Sequence, residues 1–166
     1  MRKLIPIIAI LFFPVFLKAG DDLIKIRQLY YKASTNKTDA ETFYNTLQAT
    51  SVIDKVLIEG YKGMAFMIKA NFAFNPYYKL NYFIKGKGLL DNAIDSDPKN
   101  IELRFLRFCV QTNAPIFLGY SGQIVDDKKE IRSGYTSLED KDLKARIKEF
   151  MQSSKYCAKE EKAFFK

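Results

Sequence analysis

The sequence predicts an all-α domain, a single compact bundle of six or seven antiparallel helices whose order suggests a short α-α superhelix. Three observations lead there. No stretch of the chain alternates apolar and polar residues with period two. Apolar residues recur instead three or four positions apart, which aligns them on one side of a helix. Capping residues, prolines and glycines divide these runs into lengths ordinary for globular helices.

Residues 1–19 stand apart from this pattern. A basic start (Arg2, Lys3), an apolar run over residues 4–17 and a small residue at Ala19 make a signal peptide. The run is about 14 residues long and contains Pro6 and Pro14, short of the ~20 that a membrane-spanning helix needs. Cleavage after Ala19 or Gly20 leaves residues 20–166 as one all-helical domain with no transmembrane segment, expected to be periplasmic or secreted in a bacterium. Loss of Arg2, Lys3 and Lys18 takes the net charge from +8 to +5. The lysines are interspersed with acids, which reads as a solvated surface and not as a nucleic-acid site. Association with an anionic envelope surface is the alternative use of that charge.

Residues 21–34 form the first helix, with Leu23, Ile26, Leu29, Tyr30 and Ala33 at helical spacing, acids at the start and lysine near the end. Thr38-Asp39-Ala40-Glu41 reads as a capping box for the second, whose apolar face is Phe43, Tyr44 and Leu47. Asn36-Lys37-Thr38 also fits a glycosylation acceptor, but with no other eukaryotic secretory cue it reads as loop before cap. Ser51 with Asp54 repeats the capping signal. The third helix follows, with Leu57, Tyr61, Met64, Ala65, Ile68 and Phe72 along one stripe, and Asn75-Pro76 breaks it. Gly60 and Gly63 each cost about 0.8–1 kcal/mol relative to alanine inside a helix, which points to close approach of a neighbour.

Residues 75–83 read as an aromatic elbow holding Tyr77, Tyr78, Tyr82 and Phe83. Tyrosine is amphipathic and frequent at recognition surfaces, so the elbow is either a rim for a partner or glycan, or plain hairpin packing. Residues 83–120 organise the rest of the chain. Gly86, Leu90, Ala93 and Ile94 share one helix face; Asp97-Pro98 ends that helix, and Asn100 caps the next. On a helical wheel Ile101, Leu103, Phe105, Leu106, Phe108, Cys109 and Val110 cover more than half the circumference, so this helix is buried on most sides. Arg104, Arg107 and Gln111 fill the remaining polar strip. Glu102 alone lies on the apolar arc and needs a partner or water. After Pro115 an apolar turn leads past Gly119 and Gly122 to a short helix with Ile124 and Ile131 inward and residues 126–130 as its wet face. Ser133-Gly134-Tyr135 reads as a loop. Ser137 caps a last helix bearing Leu143, Ile147, Phe150 and Met151, and residues 155–166 are either helical or frayed.

Gly86, Leu90, Ala93 and Pro98 resemble the second half of a tetratricopeptide repeat, small-x3-large-x2-Ala-x4-Pro, and Tyr61-x2-Met64-Ala65-x2-Ile68 is similar to its first half. Counting from Ala65, the small residue of the second half belongs at position 77; it falls at Gly86, nine later, so this resembles a repeat with a lengthened elbow. The resemblance covers about a quarter of the chain and implies helical hairpins that bind a protein or peptide partner. The chain after residue 19 is also weakly similar to small exported bacterial proteins with a DP-x-N-x-ELRFLRF-like core, which implies no activity.

The chemistry available is narrow. With no histidine and two cysteines, a zinc site of usual composition cannot be assembled. Cys109 and Cys157 either form a disulfide in an oxidising compartment or stay free, Cys109 as a small buried hydrophobe. Proline and lysine interrupt the acids at residues 91–102 where a calcium loop needs a ligand and its turn glycine. No cofactor motif occurs. Glu102 with Arg104 and Arg107 has three readings: Glu102 favoured by the macrodipole in the first helical turn with the arginines as a solvated strip or paired with acids such as Asp126 and Asp127, an arginine fork for the carboxylate of a peptide or other anionic ligand, or Glu102 as a general base. The leading expectation is a non-enzymatic protein-binding module whose surface joins Tyr77, Tyr78 and Tyr82 with Arg104, Arg107 and Gln111. The alternative is a small hydrolase or lyase with Glu102 as base.

Overall fold

The computed structural model describes residues 18–50 and 54–166. The leader assigned to residues 1–19 lies, up to residue 17, outside the described residues, as does Ser51. No described helix is long and apolar enough to cross a membrane. Among the described residues the chain is all-helical: α1 (Lys18–Ala33), α2 (Lys37–Ala49), α3 (Lys55–Phe72), α4 (Pro76–Ser96), α5 (Ile101–Asn113), a 3-10 turn (Ile116–Leu118), α6 (Ile124–Tyr135), α7 (Lys141–Ser153) and α8 (Lys159–Phe164). Eight helices replace the six or seven expected, because the tail forms the short α8. Phe165, just beyond it, is buried edge-on against Tyr135 with ring centroids 4.8 Å apart, so the tail is docked.

Side-chain caps set most boundaries. Asn100 accepts from the N–H groups of Glu102 and Leu103, as its sequence position predicts, while Asp54, read as the partner of Ser51 in a capping signal, is itself the cap and accepts from those of Val56 and Leu57. Other boundaries differ. Asn36, a stronger cap than threonine, starts α2 by accepting the Asp39 N–H at 2.8 Å. Asp140, not Ser137, caps α7 through the Leu143 N–H. α6 runs on through Ser133 and Gly134, where the missing side chain makes room for Ile101. The elbow is helix: Asn75 caps it, Pro76 occupies the first turn, and α4 extends for 21 residues. A proline after an asparagine both ends α3 and starts α4, since the first turn needs no proline N–H.

α3 and α4 form the most extensive pairing of the fold. Their backbones cross at two glycines. A Cβ on Gly63 would lie 2.7 Å from the Gly86 carbonyl oxygen, and one on Gly86 would lie 2.5 Å from that of Gly63. The small residue that meets Gly86 is therefore Gly63 and not Ala65. α5 lies between two cores. Leu103 and Leu106 join the core of α1–α4, whereas Phe105, Phe108 and Cys109 join that of α6–α8. Both cysteines are free buried thiols in the second core, and burial pushes the Cys109 thiol well above its ordinary value.

Candidate functional site: an apolar groove beside two buried ion clusters

Glu102 lies buried on the apolar arc of α5, where an unpaired carboxylate is costly. Its partner is Arg27 of α1. Nε donates to Oε1 and Nη2 to Oε2, both at 2.7 Å, and the Tyr61 hydroxyl of α3 donates to Oε1. The same guanidinium reaches α7 through Asp140 at 2.8 Å and Asp142 at 3.0 Å. Arg27 is 1% exposed. Burial works against its charge, but the bonds to Glu102 and Asp140 outweigh that and hold its pKa above the ordinary value. For Asp140, burial alone would favour the neutral acid; the Arg27 and Leu143 N–H groups prevail and hold its pKa below the usual carboxylate range. Burial and then the Glu102 charge raise the Tyr61 phenol. One cation thus ties α1, α3, α5 and α7 together. Sequence reasoning missed Arg27, although it sits on the stripe of Leu23, Ile26 and Tyr30. A positive charge misplaced on one apolar face and a negative charge on another are a pairing signal.

Arg104, Arg107 and Gln111 do not form the solvent-facing strip expected of them, because α6 covers it. Asp127, expected on a wet face, is 0% exposed and accepts Arg107 Nε at 2.8 Å, Arg107 Nη2 at 2.7 Å and Arg104 Nη1 at 3.0 Å. Arg107 Nη1 turns to Asp91 at 3.3 Å, which also accepts the Tyr120 hydroxyl at 2.8 Å and Lys87 Nζ at 2.9 Å. The pairing with Asp127 is the ion-pair reading of the arginines, but it is buried instead of solvated. With its fork taken, Arg107 is not open to a ligand carboxylate. Gln111 is buried as well, and neither its amide nitrogen nor its oxygen has a hydrogen-bond partner among the described residues. Gln111→Leu is expected to stabilise the protein by about 1–2 kcal/mol by removing those groups. The readout is a higher urea midpoint at unchanged slope; a lower midpoint would show that the amide has partners.

Tyr77 and Tyr78 are exposed on the first turn of α4, while Tyr82 stacks on Phe66 at 6.3 Å. Tyr77 lies 14 residues, about 21 Å along α4, from the Asp91 that meets Arg107. The tyrosines and arginines therefore do not share one surface.

What comes together instead is an apolar groove of about 710 Å³. α1, α3, α5 and α7 offer it their C-terminal turns through Tyr31, Ile68, Val110 and Phe150; α4 adds its first turns through Lys79, Leu80 and Phe83. The 3-10 turn forms a rim on which Phe117 is 86% exposed. Such a volume is in the usual range of ligand sites, roughly 300–1,000 Å³. Met64 and Met67 line it and can change rotamer to suit an occupant. Among the described residues, Lys79 is its one permanently charged lining residue. No acid occurs between Glu59 and Asp91 or between Glu102 and Asp126, the two stretches that build most of its walls. Local sequence signals could not reveal this groove, because its walls are the ends of helices far apart in the chain. No protein-family model, curated protein or solved structure matches this chain.

Proposed function

We propose that the protein is an exported, non-enzymatic interaction module that captures an apolar segment of a partner protein in the groove. The observation that carries this reading is the groove with its uncovered rim: Leu80 and Phe117 line it and expose apolar surface of the kind that marks an interaction site. The tetratricopeptide-like order of Gly86, Leu90, Ala93 and Pro98 supports it by analogy, since helical repeats bind partners along a concave face. The leader on residues 1–19 supports a periplasmic or secreted location, with envelope association a further use of the surplus lysines. A hydrolase or lyase based on Glu102 has less support, because both carboxylate oxygens are engaged by Arg27 and Tyr61. A photoreactive side chain at Phe117 is expected to cross-link one discrete protein in the producing cells, and the same group at exposed Arg132 of α6 none. Equal yields of the same products at both positions would reject the groove as the capture surface.

A further inference from the structure

We infer that the segment taken by the groove is an acidic amphipathic helix; this rests on the groove reading. The first argument is charge. The walls come from two acid-free stretches, and the first of them carries Lys62, Lys69, Lys79, Lys85 and Lys87. Lys62 is paired with Glu59 and Lys87 with Asp91, while Lys69 and Lys85 rest on the rings of Tyr44 and Phe66. Lys79 is left facing the groove. A partner with carboxylates beside its apolar face meets complementary charge there, and a basic one meets repulsion.

The second argument is shape. Tyr77, Leu80 and Ile84, at spacings of three and four, form one line on α4 and are 70%, 47% and 56% exposed. Leu80 also lines the groove, so the line continues the groove wall outward over two helical turns, about 10 Å. An uncovered apolar helix face beside a groove is the complement of a second helix, which presents anchors at i, i+3 or i+4, and i+7. A single acyl chain would fill the groove and leave Tyr77 and Ile84 bare. An extended strand finds no sheet edge among the described residues.

The test uses the purified protein and fluorescently labelled 18-residue peptides: an amphipathic Leu/Glu helix, its Leu/Lys counterpart, and a Leu/Glu peptide of the same composition with the periodicity scrambled. The Leu/Glu helix is expected to bind at least about tenfold more tightly than either control and to weaken as salt rises. Lys79→Glu should reverse the preference between the charged helices. Leu80→Glu should abolish binding of both, and circular dichroism on each variant shows whether it is folded. Equal or tighter binding of the Leu/Lys helix overturns the acidic partner and leaves the groove reading standing. If neither helix displaces the uncharged apolar dye N-phenyl-1-naphthylamine, and Leu80→Glu does not alter the dye's binding, both readings fall. Retention on phosphatidylglycerol vesicles that Lys79→Glu abolishes, with no peptide bound, assigns the surface to a bilayer and overturns the proposal.

Discussion

Gly86→Ala is expected to destabilise the protein by about 3 kcal/mol, near the upper end of what overpacking costs, because the obstacle is backbone. The new methyl would meet the Gly63 carbonyl oxygen at 2.5 Å and the Met67 amide nitrogen at 3.0 Å, so α4 must move bodily away from α3. A flexible side chain could rotate aside; a peptide group inside a helix cannot. Gly88, two residues on in the same helix, has open space where a Cβ would lie. Gly88→Ala should therefore raise stability by about 0.5–1 kcal/mol, the ordinary gain of alanine over glycine inside a helix. Urea midpoints for the pair should move in opposite directions. Two variants of equal stability would show that the helices do not cross this closely.

Arg27→Met is expected to cost about 3–5 kcal/mol, the usual penalty for leaving a buried charge without its partner. Glu102 would keep only the Tyr61 hydroxyl, while the partly exposed Asp140 and Asp142 could turn to water. The double change Arg27→Met with Glu102→Leu should recover most of that loss, because two apolar groups of similar volume need no counter-charge. Thermal or urea unfolding of the parent, both single variants and the double variant closes the cycle. A cost below about 1 kcal/mol for Arg27→Met would place the pair in the range of exposed salt bridges and contradict its burial.

The helical class was legible because it depends on short-range periodicity, and so was a helix whose cap stands alone, α5 after Asn100. Glu102 was legible as a problem, since one carboxylate on an apolar arc demands an answer, and Gly63 as a site of close approach. The answers were not legible. Arg27 lies 75 residues from Glu102, whereas Asp127 was legible as a counter-ion for the arginines but, read on a wet face, not as a buried one. Residues 75–83 were misread because a proline is the same letter whether it ends a helix or begins one. The groove is assembled from the last turns of α1, α3, α5 and α7, so no single stretch of sequence carries its outline.

The buried Arg27 cluster also sets an order of events during synthesis. Arg27 emerges early, yet Glu102 follows 75 residues later and Asp140 a further stretch on, 113 residues after Arg27. At roughly 5–20 residues per second, the interval from Arg27 to Asp140 lasts about 6–23 s. Until Glu102 emerges, α1 carries a cation on its apolar stripe without its buried counter-ion, and seating that stripe in the core would strand the charge. The N-terminal helices therefore wait for α5 before they lock, and α7 completes the cluster.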